Sequence, residues 1–325
     1  MKNPQNPTLL KKKGANKILE SILQQNKTSN AYIFYGPDGV GRKSAAINFI
    51  AEIINKNNSN TKVFEKITTN NFPDFKLIEP TYLIKGQQIK RSELKDHFNH
   101  KNKPIIRVDQ IREIRKFLGI KSIESEKKFI IIEDAHLLNE AASNCLLKTL
   151  EEPENGLFIL ITSNIDLLIE TIKSRCQKVK FNRLNSNELL EDLKINKNFT
   201  EDIESKLLNL KDLIYLANGS PNKLRENIEI WLDIPGKIKD KLQYPIYNNI
   251  EILILVKDII DEMDLKKQEF LIEFIQYKWW KETKNIEISR IIESLKANIK
   301  SNVQPRLAWE VCLLKIALNS LKNKN

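Results

Sequence analysis

The sequence predicts a parallel α/β half followed by an all-helical half. Three observations carry this. A glycine turn at 36–41 stands between a short apolar run and a helix with an apolar face. Two continuous apolar runs, 129–132 (FIII) and 157–161 (LFILI), read as strands covered on both faces. After about residue 185 only helical patterns and connectors remain. Strands alternating with helices argue for βαβ units and a doubly wound sheet.

Taken in order, 17–25 (KILESILQQ) puts Ile18, Leu19, Ile22 and Leu23 on one helical face. Residues 31–35 form an apolar strand, which Gly36, Gly39 and Gly41 end. Ala45, Ala46, Phe49, Ile50, Ile53 and Ile54 then recur at helical spacing. Residues 55–104 are polar and read as irregular, with one strand at 75–78. Residues 109–118 (DQIREIRKFL) form an amphipathic helix, and 139–152 form another that Pro153 stops. A last short strand lies at 178–181. Gly219-Ser220-Pro221 and Ile234-Pro235-Gly236 break the helical half twice.

Composition bounds the partners. With 325 residues, of which 41% are hydrophobic and 29% charged, the chain can bury ordinary cores in two or three domains. No apolar run is long enough to span a bilayer, and no apolar signal segment opens the chain, so a cytoplasmic location is expected. Cys145, Cys176 and Cys312 form no CxxC pair, which argues against a disulfide framework or a zinc knuckle. His97 and His100 have no cysteine near them, an incomplete metal-ligand set. The net charge of +11, with six lysines and one glutamate in residues 1–30, is compatible with nucleic acid and equally with simple solubility.

The glycine turn reads Gly36-Pro-Asp-Gly39-Val-Gly41-Arg42-Lys43-Ser44. A working P-loop is G-x-x-x-x-G-K-[ST]. Its lysine reaches the β- and γ-phosphates and its hydroxyl holds Mg²⁺. Here Gly36 and Gly41 are correctly spaced, but Arg42 takes the lysine position and Lys43 the hydroxyl position. Reading Lys43-Ser44 instead lengthens the loop by one residue. Arginine is a planar fork and no conservative exchange for lysine. Loss of the hydroxyl weakens Mg²⁺ binding directly. After FIII comes Glu133-Asp134, where a working site ends its strand in Asp-Glu. Charge is kept there and geometry is not. The alternative role for the two acids is to cap the following helix.

Residues 133–176 (EDAHLLNEAASNCLLKTLEEPENGLFILITSNIDLLIETIKSRC) resemble the bacterial clamp-loader family of AAA+ proteins. That family has an acidic strand end, a helix close to N-x-L-L-K-x-L-E-E-P, a sensor strand and a Ser-Arg-Cys motif. Leu146, Leu147 and Leu150 face the core, while Lys148, Glu151 and Glu152 face solvent. Thr162, Ser163 and Asn164 stand where the family places its polar sensor. The resemblance implies that Arg175, in Ser174-Arg175-Cys176, is an arginine finger offered to a neighbouring subunit's nucleotide. Gly219-Ser220-Pro221-Asn222-Lys223 is similar to the second sensor, with Lys223 at its basic position. Residues 302–310 resemble the last collar helix. The implied organisation is a P-loop (AAA+) domain at 1–182, a helical lid at 183–234 and a helical collar at 235–325.

Within the family, two departures from the ATP-hydrolysing gamma type stand out. The P-loop is damaged, and residues 55–104 lack the four cysteines of a zinc module. The second departure, with PDFKLIEPTYLIKGQQI and IIRVDQIREIRKFL, is similar to cyanobacterial delta-prime sequences. The resemblance then implies a non-hydrolysing stator in the replicative polymerase holoenzyme. It would hold ATP or ADP weakly if at all, and no metal. Its partners would be gamma/tau-type and delta-type subunits, with the sliding clamp and primed DNA reached through the ring and no membrane involved. The alternatives are a gamma-type ATPase, which purified protein would reveal by turnover, and a DNA-binding AAA+ adaptor, which tight salt-sensitive DNA binding would reveal. Trp279-Trp280, in an apolar helical stretch, is expected to pack in the collar rather than stack on bases.

Overall fold

The computed structural model describes residues 14–25, 28–57, 63–93, 103–195, 209–301 and 303–322. Most of the basic N-terminal stretch, His97, His100 and Asn302 lie outside them. The chain divides into two compact units, Met1–Arg183 and Leu184–Asn325.

The first unit is built on a five-stranded sheet. Its strands are β1 (Ala31–Tyr35), β2 (Phe75–Ile78), β5 (Lys128–Ile132), β6 (Gly156–Thr162) and β7 (Gln177–Lys180), in the order β2-β5-β6-β1-β7. Every pairing is parallel. Such a sheet needs cover on both faces, and the period-two side-chain alternation supplies it. Tyr32, Phe34, Phe129, Ile131, Leu157 and Ile159 point to one face. There they meet α1 (Ala15–Gln25), α2 (Arg42–Asn57) and α3 (Val63–Thr68). Ala31, Ile33, Ile130, Ile132, Phe158 and Leu160 point to the other. That face carries α4 (Val108–Leu118), α5 (Glu140–Glu151) and α6 (Glu170–Arg175). Each fully buried aliphatic or aromatic side chain contributes about 1.5–3 kcal/mol.

Three expectations are corrected. Ile18 is exposed, because the buried stripe of α1 runs through Ala15, Leu19, Ile22 and Leu23 and leaves Ile18 beside it. The segment 55–104 is not irregular throughout. Its described part holds α3 and an antiparallel hairpin, β3 (Thr81–Ile84) with β4 (Gln87–Lys90). Lys85-Gly86 forms the turn, both at positive φ. The helix expected at 139–152 begins one residue later, because Asn139 is its N-cap and accepts a hydrogen bond from the Ala142 N–H.

The second unit is all helical: α7 (Ser186–Ile195), α8 (Leu210–Ala217), α9 (Pro221–Asp233), α10 (Gly236–Lys241), α11 (Asn249–Glu262), α12 (Leu265–Thr283), α13 (Ile286–Lys300) and α14 (Pro305–Lys322). One continuous core runs from Leu189 to Ala317. Asn248, Asp264 and Asn285 cap α11, α12 and α13, each accepting from a backbone N–H of the first turn. The two tryptophans divide. Trp279 is fully buried and its indole N–H donates to the Leu242 carbonyl at 3.0 Å, whereas Trp280 is exposed beside Lys284. Among the described residues, no helix is long and apolar enough to cross a membrane.

Candidate functional site

β1 hands the chain to α2 through the glycine loop. Gly36, Gly39 and Gly41 have φ of 148°, 77° and 88°, backbone that side chains resist. Gly36 is also pressed against the chain leaving β7. A Cβ built there would meet the Phe181 carbonyl oxygen at 2.1 Å. The Gly36 N–H donates to the Thr162 carbonyl at 3.3 Å. The loop therefore opens onto the N-terminus of a 16-residue helix, where unpaired N–H groups and the helix dipole favour an anion.

The charged side chains around it are already partnered by one another. Arg42 is only 7% exposed and donates through Nη2 to Asp38 of the loop at 2.5 Å, while its Nη1 is buried without a partner. Lys43 reaches across the sheet ends to Glu133, 2.7 Å away, and lies 3.6 Å from Glu79. Asp134 pairs with Arg91 at 3.0 Å. Ser44 is exposed. Neither acid caps a helix through a hydrogen bond. Asp134 sits at a φ of 49° before the 135–137 turn and its side chain makes no cap. Thr162, at the end of β6, is buried. Its hydroxyl donates to the Asn164 carbonyl at 2.9 Å and lies 3.1 Å from His136 Nδ1.

Mg²⁺ in a P-loop is shared between the hydroxyl after the lysine and the strand-end acid. The residues here do not fit it. An ammonium stands at the hydroxyl position and already holds the acid.

Arg175 is the last residue of α6. It is 37% exposed, and its Nη2 lies 2.6 Å from Glu151 in the last turn of α5. Its Nη1 donates to the Thr171 carbonyl at 3.1 Å, and the Ser174 hydroxyl donates to the same oxygen at 3.0 Å. Cys176 turns inward, and burial pushes its thiol up to about 12. Arginine and cysteine thus divide the motif between an outward cation and an inward anchor.

In the second unit, Ser220 caps α9 and Pro221 opens it, which sets Lys223 in the first turn. Lys223 lies 3.4 Å from Glu273. Burial works against the charge on Glu273, but Lys223 and Lys296 outweigh it and hold its carboxyl below the usual range.

Sequence reasoning missed Asp38, Glu79, Arg91 and Glu151. Only Asp38 carries a local signal, four residues before Arg42. The other partners come from elements distant in sequence.

Residues 11–185 match the family described as DNA polymerase III, delta subunit. Residues 193–316 match the cyanobacterial DNA polymerase III delta prime C-terminal domain. DNA polymerase III subunit tau of Bacillus subtilis is 31% identical over 216 residues, 66% of this chain and 35% of that protein. Subunit delta' of Bacillus subtilis is 28% identical over 200 residues, 60% of this chain and 54% of that one. The chain thus spans between a third and about half of these relatives. A DNA polymerase III gamma subunit-related protein from Thermotoga maritima shares the fold, with a TM-score of 0.51 at 18% identity over 92% of this chain and 98% of that one.

Proposed function

The chain belongs to the DNA polymerase III delta-subunit family, and from that premise we propose that it is a clamp-loader subunit that hydrolyses no nucleotide and offers Arg175 to a neighbour's triphosphate. The observation that carries this reading is the contrast between the two arginines. Arg42 is buried over its own loop, while Arg175 stands half-exposed at a helix end on a single carboxylate. A guanidinium held so loosely exchanges a carboxylate for a phosphate at little cost.

Its partners are gamma/tau-type and delta-type subunits, with the sliding clamp and primed DNA reached through the assembled ring in the cytoplasm. Residues 183–234 serve as the lid and 235–325 as the collar. The loop of Gly36, Gly39 and Gly41 holds ATP or ADP weakly if at all. Without the lysine and hydroxyl of a working P-loop, that site supplies no hydrolysis.

The test is a loader reconstituted with Arg175→Ala. Assembly stays intact, by size-exclusion chromatography with light scattering. Clamp- and DNA-stimulated ATP hydrolysis falls, by ~10³-fold where the finger is fully engaged. Ordinary hydrolysis in that loader removes the finger assignment. Turnover by the isolated chain removes the non-hydrolysing one.

A further inference from the structure

We propose that the Lys43 ammonium replaces the divalent cation of this P-loop. It forms an internal bridge from α2 to the ends of β2 and β5, so the site takes no Mg²⁺ until Lys43 is removed.

The position of Lys43 carries the argument. It is the second residue of α2, where a working loop has the metal-binding hydroxyl. Its Nζ contacts Glu133, the strand-end acid after β5, at 2.7 Å. It also lies 3.6 Å from Glu79, just after β2. A divalent ion in a working site links those same two places, the first turn of the helix and the strand-end acid. Here one cation does so covalently tethered to one of them. Glu79 is fixed in turn, because its second oxygen accepts from the Ser92 hydroxyl at 2.7 Å. Asp134, the next acid, turns one oxygen to Arg91, 3.0 Å away. An ammonium has three donors and no acceptor. It therefore hydrogen-bonds Glu133, lies within ion-pair reach of Glu79 and repels a second cation.

Removing Lys43 leaves Glu79 and Glu133 facing the same space with no positive charge between them. Two carboxylates, with a serine hydroxyl if Lys43→Ser is chosen, form an oxygen set suited to Mg²⁺ or Mn²⁺. The inference does not rest on the role of Arg175, and none of its variants touches α6.

The experiment uses the full chain and Mn²⁺ as probe, with free Mn²⁺ read by electron paramagnetic resonance. The wild-type chain binds Mn²⁺ no more tightly than Glu133→Gln does. Lys43→Ser binds it at least tenfold more tightly than wild type, and Glu133→Gln in that background abolishes the gain. Thermal unfolding gives a second readout. Lys43→Ser melts lower than wild type in EDTA and recovers with Mn²⁺, while the wild-type melt does not respond. If Lys43→Ser folds poorly, Lys43→Met keeps the apolar stem and yields the same gain from the two carboxylates alone. A wild-type affinity that falls when Glu133→Gln is introduced overturns the proposal. So does a folded Lys43 variant with no gain in Mn²⁺ affinity.

Discussion

Two arginines in the first unit each meet a carboxylate at nearly the same distance, Arg42 with Asp38 at 2.5 Å and Arg175 with Glu151 at 2.6 Å. Their surroundings separate them. Arg42 is 7% exposed and Arg175 37%. A guanidinium taken out of water depends on its one counter-charge, so the first pair is part of the fold. A guanidinium still in water has little to lose, so the second pair is free to dissolve. Equal bond lengths thus conceal a locked cation and a transferable one.

The comparison can be broken or sharpened in four ways. On the proposed finger role, Arg175→Ala has the largest effect, and it appears in the neighbour's chemistry. Hydrolysis in the assembled loader falls ~10³-fold, about 4 kcal/mol of barrier, with the chain's own melting little changed. Gly36→Ala comes next and acts on the fold. Its Cβ meets the Phe181 carbonyl at a φ few side chains adopt. A loss of about 3 kcal/mol is expected in a denaturant titration that follows the first unit. Asp38→Ala leaves the buried Arg42 without its counter-charge and costs about 2 kcal/mol in the same titration. Asp38 itself lies in solvent, which keeps the figure below that for a fully buried pair. Glu151→Gln costs under about 1 kcal/mol, because the pair it breaks is half in water. Equal losses for Asp38→Ala and Glu151→Gln would erase the distinction between the two arginines.

The alternation that builds the first unit was legible because it is local. Residues 31–35 and 129–132 carry their burial in their own composition, and the structure places β1 and β5 there. Asn139 and Pro153 bracket α5 by cap and breaker chemistry alone. The hairpin β3–β4 was missed because β4 is short and exposed, with Ile89 its one apolar residue, too little to show an alternation. The charge arrangement was illegible for a different reason. Arg42 and Lys43 announced a damaged loop, but Glu133 lies 90 residues from Lys43 and Glu79 comes from another strand end. Glu151 and Arg175 are likewise brought together only by packing of α5 against α6. Asp74 gave no signal at all. It is buried and accepts from the backbone N–H groups of Ile123, Glu124 and Ser125 and from the Ser125 hydroxyl. Such a four-donor clamp on the 121–127 loop emerges only in three dimensions.

The place of β1 has a consequence for how the chain is made. Of the five strands of this sheet, the first in chain order is an inner one, and both its neighbours, β6 and β7, come from the far end of the unit. On the ribosome β1 therefore waits while about 120 further residues are added before β6 begins and about 145 before β7 ends, roughly 6–30 s at the usual pace of synthesis. Until β6 arrives its apolar side chains have no neighbouring strand to join. β1 is thus a strand in need of protection at birth, and its second edge is covered only when Val179 arrives.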